Sequence, residues 1–375
     1  MKFVVSKKDI ETDIKQLSKV IDKKSALPIL SDFMLQVKET TLIITASDAE
    51  IWVQTQLQLT ENTGGDGTFC LPVTELTAAL KQLSDQPITF EVDVETQHCA
   101  ITHASGQFTF LAEPSVEFPQ PKEVDAVASE ISMEGSVVKN ALTRSVFACA
   151  SDELRPVMNG VYFDFLKDKT NIVASNGHIL IRNTEYGVTA EHPAAFIMPK
   201  KVAKFLTANL DKESQLTFHF DDHVCVATYD STSVFFRLIE GRYPNYESVI
   251  PKNTKCDARV DRLALNNGLK RVNPFSNESS NLIRFHFEAD KLQLDAEDYD
   301  FSKTATEYLA CEFDGKPMSV GFKGASAQEI LSVLASPEII VRLTDPSHAA
   351  LIVPNDDDIT EEEITCLLMP MLIND

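Results

Sequence analysis

Apolar residues recur at three-to-four spacing in six stretches of the chain, and between these stretches they alternate or gather in short runs. Ile10, Ile14, Leu17 and Ile21 form the first such face, which predicts an amphipathic helix starting near Lys7. Strand-like runs follow at 32–37, 42–45 and 51–59, and a glycine-rich turn, Gly64-Gly65-Asp66-Gly67, leads into a short strand at 68–71. Pro72 predicts the opening of a second helix, with Leu76, Leu80 and Leu83 inward, because proline suits the first helical position. The same pattern then returns. Helical faces begin near residues 7, 73, 136, 199, 261 and 325, about 62–66 residues apart, each trailed by about three short strands. The fourth sets Val202, Phe205, Leu206 and Leu210 inward, and the sixth Ile330, Leu331 and Leu334.

Two proline-marked stretches, Glu117-Phe118-Pro119-Gln120-Pro121 and Tyr243 through Pro251, divide these six modules into pairs, since residues before proline avoid the helical region. The predicted organisation is three similar α+β domains, 1–121, 122–251 and 252–375, each with two helices on about six to eight antiparallel strands. Tight turns such as Asp221-Asp222 and Ala289-Asp290 join the strands. Sheets of three like domains in a row can continue from one to the next, and head-to-tail closure into a ring pairs the edges left at the ends. The linker at 237–251 is expected to close a strand, turn at Glu240-Gly241 and then run extended.

Charge refines this picture. The chain has 375 residues with 34 basic against 56 acidic, a net of −22, which disfavours loose binding to nucleic acid or anionic membrane. The six helical windows (7–21, 72–83, 136–150, 199–210, 261–272 and 323–335) nevertheless hold 14 basic and 6 acidic residues, a net of +8, so the rest of the chain carries −30. Lys139 and Arg144, Lys200, Lys201 and Lys204, and Arg262, Lys270 and Arg271 lead this bias. If the helices line one side of a ring, that side is a positive lumen that attracts a polyanion without regard to sequence. The alternative is that lysine and arginine, as good helix formers, simply solvate outer helix faces.

Seven scattered cysteines without a Cys-x-x-Cys pair suggest neither a disulfide framework nor a zinc site. The N-terminal apolar run is too short for a signal peptide and no segment approaches a membrane span, so a soluble cytoplasmic protein is expected. Candidate chemistry is sparse. His219 and His223 flank the Asp221-Asp222 turn of a predicted hairpin, His178 lacks a nucleophile at triad spacing, and the acidic stretch 356–363 lacks the ligand spacing of a calcium loop. No catalytic residue, metal or cofactor is expected.

Met1-Lys2-Phe3, Leu27-Pro28-Ile29-Leu30, the run 155–160 ending Asn159-Gly160, Asn176-Gly177-His178, the linker 237–251 with Gly241-Arg242-Tyr243-Pro244-Asn245-Tyr246, and Leu368-Met369-Pro370-Met371 occur in that order. Together they resemble the bacterial DNA polymerase III sliding clamp (beta subunit) family over the whole chain. The resemblance implies a head-to-tail homodimer of three-domain subunits, a ring lined by twelve helices around duplex DNA. It implies no catalysis, opening by a clamp loader, and tethering of polymerase subunits and repair proteins through a short peptide.

By position, the resemblance assigns a peptide pocket to Met158, Ser175, Gly177, His178, Leu180, Pro244, Val249, Leu367, Leu368, Met369, Pro370 and Met371. It assigns DNA contact to Lys24, Arg155, Lys200 and Lys201, and ring closure to Phe108 and Phe110 against Pro274 and Phe275 of the second copy. Ile179 and Ser248 stand where family members often keep arginine, which bears on peptide preference.

Overall fold

The computed structural model describes every residue except 23, 24, 26, 94, 126–128, 356–360, 374 and 375. Six helices of about three turns stand where the apolar spacing predicts them: α1 Lys7–Leu17, α2 Val73–Lys81, α3 Gly135–Ser145, α4 Lys200–Asn209, α5 Arg262–Val272 and α6 Gly324–Val333. Each is entered directly from a strand that ends on the preceding residue. Helices this short depend on their docked apolar faces, and the first turns of α1 and α5 are also fixed locally. Ser6 and Asp261 cap α1 and α5 by accepting the amides of Asp9 and Ala264. Pro72 closes the strand Gly67–Pro72 and occupies the cap of α2, so the helix begins one residue later than the proline suggests.

The strands form four antiparallel sheets in two compact units, one of residues 1–138 with 208–238 and the other of 139–207 with 239–375. In the first unit an eight-stranded sheet joins Thr232–Arg237 to Ile51–Gln58, with Val234 opposite Val53 and Phe236 opposite Ile51. In the second a nine-stranded sheet joins Ile179–Glu185 to Glu362–Leu368, with Leu180 opposite Leu367 and Arg182 opposite Thr365. Sheets therefore do continue between sequence modules, and for that reason the compact units cut across them. A five-stranded sheet ends on the edge strand Gly106–Leu111, and a four-stranded sheet lies between the edges Lys303–Ala310 and Met318–Lys323. Two strands of two residues, Glu61–Asn62 and Glu312–Phe313, bring the segments 1–121 and 252–375 to nine strands each, more than the alternation indicates.

Aromatic side chains fill the cores: Phe3 stacks on Phe90 at 4.9 Å and Phe163 on Phe196 at 4.9 Å, all four buried. Each such burial contributes about 1.5–3 kcal/mol. The linker departs from the extended path expected of it. After Gly241, at φ +121°, it makes one 3-10 turn at Tyr246–Ser248. Its tyrosines are buried, Tyr243 lying flat on Tyr162 at 4.6 Å.

Candidate functional site

The predicted pocket residues lie in the second unit, around the junction of the strands Ile179–Glu185 and Glu362–Leu368. Alternation in a strand sends successive side chains to opposite faces. Leu180 and Leu367 share one face, where they join Val173, Ile197, Tyr243, Tyr246 and Leu351 in a buried cluster flanked by Val157, Tyr162, Ile239 and Ile250. Leu368 and its partner Ile179 are buried on the other face, so they support the sheet rather than wall this cluster.

Beside the cluster, the turn Asn176-Gly177-His178 is tightly bonded. Asn176 Oδ1 accepts the amides of His178 and Ile179, each at 2.9 Å. Ser175 Oγ donates to the Ile179 carbonyl at 2.8 Å and accepts the Gly177 amide at 3.1 Å. Gly177 has φ +89°, in the left-handed region that favours glycine. The turn leaves His178 exposed while its carbonyl accepts the Met369 amide at 2.8 Å. From there the chain reaches Met371, which bridges to Gly321.

Pro244, Val249 (54 % exposed) and Met369 (38 % exposed) thus stand at the surface, carried on segments whose neighbours are buried in the cluster. Met158 is itself buried, next in sequence to Val157 of the cluster's flank. An apolar floor with adaptable methionine and a few polar groups at its rim suits the apolar anchors of an extended peptide. Ser248 turns its hydroxyl back to the Asn245 carbonyl at 2.7 Å.

The basic residues divide sharply by environment. On α4, Val202, Ala203, Phe205 and Leu206 are buried while Lys201 and Lys204 are exposed, and Lys200 extends its Nζ to the Cys149 carbonyl at 3.1 Å. Arg155 is not on a helix. It pairs with Asp152 at 3.0 Å, and its guanidinium lies so near Gly177 that a Cβ there would stand 3.1 Å away, which places it beside the turn of the predicted pocket. Lys24 lies outside the described residues.

Several cations counted on helix faces are committed within the fold. Arg144 pairs with Glu362, Arg271 with Glu307, and Arg262 donates to the carbonyls of Ser336 and Leu331. A charge count cannot see such pairs, because the partners are far apart in sequence.

Phe108 and Phe110 sit half-buried on the edge strand Gly106–Leu111, Phe108 against His103 at 4.8 Å. Pro274 and Phe275 are exposed just beyond α5. His219 and His223 lie at a hairpin in which Phe220 faces Cys225, with Asp221 Oδ1 accepting the amides of His223 and Val224. Among the described residues no group of three or more His, Cys, Asp or Glu is placed to hold a metal ion. All seven cysteines are free and buried, and burial pushes the thiols of Cys70, Cys99, Cys149 and Cys366 up to about 12, far from a reactive thiolate. No helix among the described residues is long and apolar enough to cross a membrane.

Two residues escape a sequence reading. Arg182 follows Leu180 on the same strand face and bonds Glu247 at 3.0 Å and Glu363 at 2.7 Å, so the register that positions Leu180 also positions a cation beside the pocket. Gly321 holds the C-terminal segment, and only the fold reveals why it lacks a side chain.

Comparison with known proteins supplies the lineage. Residues 1–122, 132–245 and 247–371 match, in turn, the N-terminal, central and C-terminal domain families of the DNA polymerase III beta subunit. The chain is 24 % identical over 378 residues to the beta sliding clamp of Pseudomonas putida, covering 99 % of this chain and all of that one. It is 25 % identical over 383 residues to the beta sliding clamp of Haemophilus influenzae, again over 99 % of this chain and all of the relative. Its fold superposes on the crystal structure of the DNA polymerase III subunit beta of Pseudomonas aeruginosa with a TM-score of 0.93 at 23 % identity, both chains covered in full. The beta subunit of Thermotoga maritima gives 0.88 at 24 %, again over both full chains. With the three domains of one subunit matched in order from residue 1 to residue 371, the chain belongs to the DNA polymerase III beta subunit family and has the DNA clamp fold.

Proposed function

We propose that this protein is a DNA sliding clamp, which encircles duplex DNA as a head-to-tail ring of two copies and lends processivity to a replicative polymerase. The observation that carries it is a pair of antiparallel edge strands, Gly106–Leu111 and Lys303–Ala310, in a fold that elsewhere joins strands of different modules into one sheet. Edges of this kind invite pairing. Joining one copy's first edge to the other's second closes a ring with two equal seams, at which Phe108 and Phe110 meet Pro274 and Phe275. In this reading the domains are 1–121, 122–251 and 252–375, and Lys200, Lys201, Arg155 and Lys24 touch phosphates without reading bases.

The pocket around Leu180 and Leu367 then tethers polymerase subunits and repair proteins by a short peptide, and a clamp loader opens the ring. The protein acts in the cytoplasm by holding partners, without a cofactor and without chemistry of its own. Retention on DNA after loading tests this: the clamp stays on closed circles and runs off linear DNA. Equal loss from both substrates would overturn it.

A further inference from the structure

We propose that a cavity beside the peptide pocket reads the residues flanking a partner's apolar anchor, and that it selects a carboxylate side chain there. The inference rests on the peptide-pocket reading above and extends it from apolar anchoring to charge preference.

The cavity, of about 640 Å³, lies within the second unit on the face that carries Arg182 and Thr365, the face they share with Leu180 and Leu367. Its volume is that of a ligand-sized site, with room for several side chains. Ile250 and Leu351 line the cavity and also belong to or pack on the cluster containing Leu180 and Leu367, so the pocket and the cavity share a wall.

The charges there give the selectivity. Three acids and three cations line the cavity, yet they are not equally occupied. Glu247 and Glu363 both pair with Arg182, and Glu362 pairs with Arg144 from outside the lining. Each acid is therefore satisfied. Lys252 is exposed and has no ion-pair partner among the described residues, and Arg342 only approaches Asp257 at 3.9 Å, both side chains being well hydrated. Among the described residues, these two lining cations are thus left without a close carboxylate partner, in a chain of net charge −22. A carboxylate that reaches them gains charge-assisted hydrogen bonds, whereas a lysine or arginine in the same place meets like charge.

The test uses the full-length protein and fluorescein-labelled synthetic peptides with one common core of leucine and phenylalanine anchors, read by fluorescence polarisation at low and high salt. The core is extended at either end by two aspartates, two serines or two lysines. An aspartate extension at one end should tighten binding about fivefold or more over serine, the lysine extension should weaken it, and both effects should shrink as salt rises. In Lys252→Ala/Arg342→Ala protein the aspartate gain should vanish while core affinity stays unchanged. Equal binding of all extensions, or an aspartate gain that survives the double variant, would overturn the charge-reading cavity while leaving the pocket intact. Failure of the core peptide itself to bind would overturn the pocket and the inference with it.

Discussion

The amide of Met371 donates to the carbonyl of Gly321 at 2.8 Å, and a Cβ at position 321 would stand 2.8 Å from the Met371 carbonyl and 2.9 Å from the Ile373 side chain. Glycine at 321 thus lets the C-terminal segment lie against the edge strand Met318–Lys323, while Met369 is held two residues earlier by the His178 carbonyl. The two attachments together hold the segment 369–371 at both of its ends. Gly321→Val should push the segment off and lower affinity for a partner peptide at least tenfold, about 1.4 kcal/mol. Deletion of 369–375 should lose binding altogether. Solution mass should stay that of the parent in both variants, which separates a displaced wall from a broken fold. Parental affinity in Gly321→Val would show that the segment does not depend on this contact.

The lysines of α4 make a second case. Lys201 and Lys204 are exposed on the helix, whereas Lys200 is half-buried with its Nζ on the Cys149 carbonyl. Phosphate contacts release counterions, so each one lost reduces the slope of log affinity against log salt by about one. Lys200→Glu/Lys201→Glu should weaken DNA association at low salt and flatten that slope by about two, with the mass of the ring unchanged. An unaltered slope would remove both residues from the DNA contact.

Much of this architecture is legible in the sequence because it rests on local periodicity. All six helices begin within one residue of where the apolar spacing puts them, since the i, i+3, i+4 pattern is written in contiguous residues. Joining of Leu180 to Leu367 and of Phe236 to Ile51 is not local, so the alternation of each strand announces a sheet without naming its neighbour. The same limit explains the charge count. Arg144, Arg262 and Arg271 read as lumen cations until the fold brings Glu362, the Ser336 carbonyl and Glu307 to them. The place of Arg155 beside the Gly177 turn is likewise set by the fold and not by neighbouring residues.

Glu185 gives a pH dependence with a definite sign. It ends the strand Ile179–Glu185 opposite Glu362, and burial, then the Glu362 charge, raise its pKa to about 8. Its Oε1 has no hydrogen-bond partner among the described atoms. Because the folded value lies above the unfolded carboxyl value, the native state keeps a proton that the unfolded chain has released. Stability from this group is complete below the unfolded value and is lost as pH rises through about 8. Asp13 and Asp32, raised to about 6 chiefly by desolvation, act in the same direction but have titrated by about pH 7. The parent Tm should therefore fall between about pH 7 and pH 9, and Glu185→Gln should reduce that fall and melt higher than the parent at the alkaline end. Identical pH profiles for parent and variant would dissociate Glu185 from the effect.

Tyr246 connects the linker to the sheet through polar atoms as well as through packing. Its hydroxyl donates to Asp164 Oδ2 at 2.5 Å and accepts from Asn171 Nδ2 at 2.9 Å, while Thr184 Oγ1 donates to Asn171 Oδ1 at 2.8 Å. Asn171 is buried, so removing the hydroxyl leaves its amide without that acceptor. An unsatisfied buried group costs about 1–3 kcal/mol, more than the net gain from an ordinary hydrogen bond. Tyr246→Phe should lower Tm by several degrees, at about 2–4 °C per kcal/mol for a unit of this size. The ring itself still packs in the cluster with Tyr243, Leu180 and Leu367, so peptide affinity should change less than twofold. A large loss of affinity at unchanged Tm would instead make the hydroxyl part of the peptide contact, and unchanged values of both would mean that water replaces it without cost.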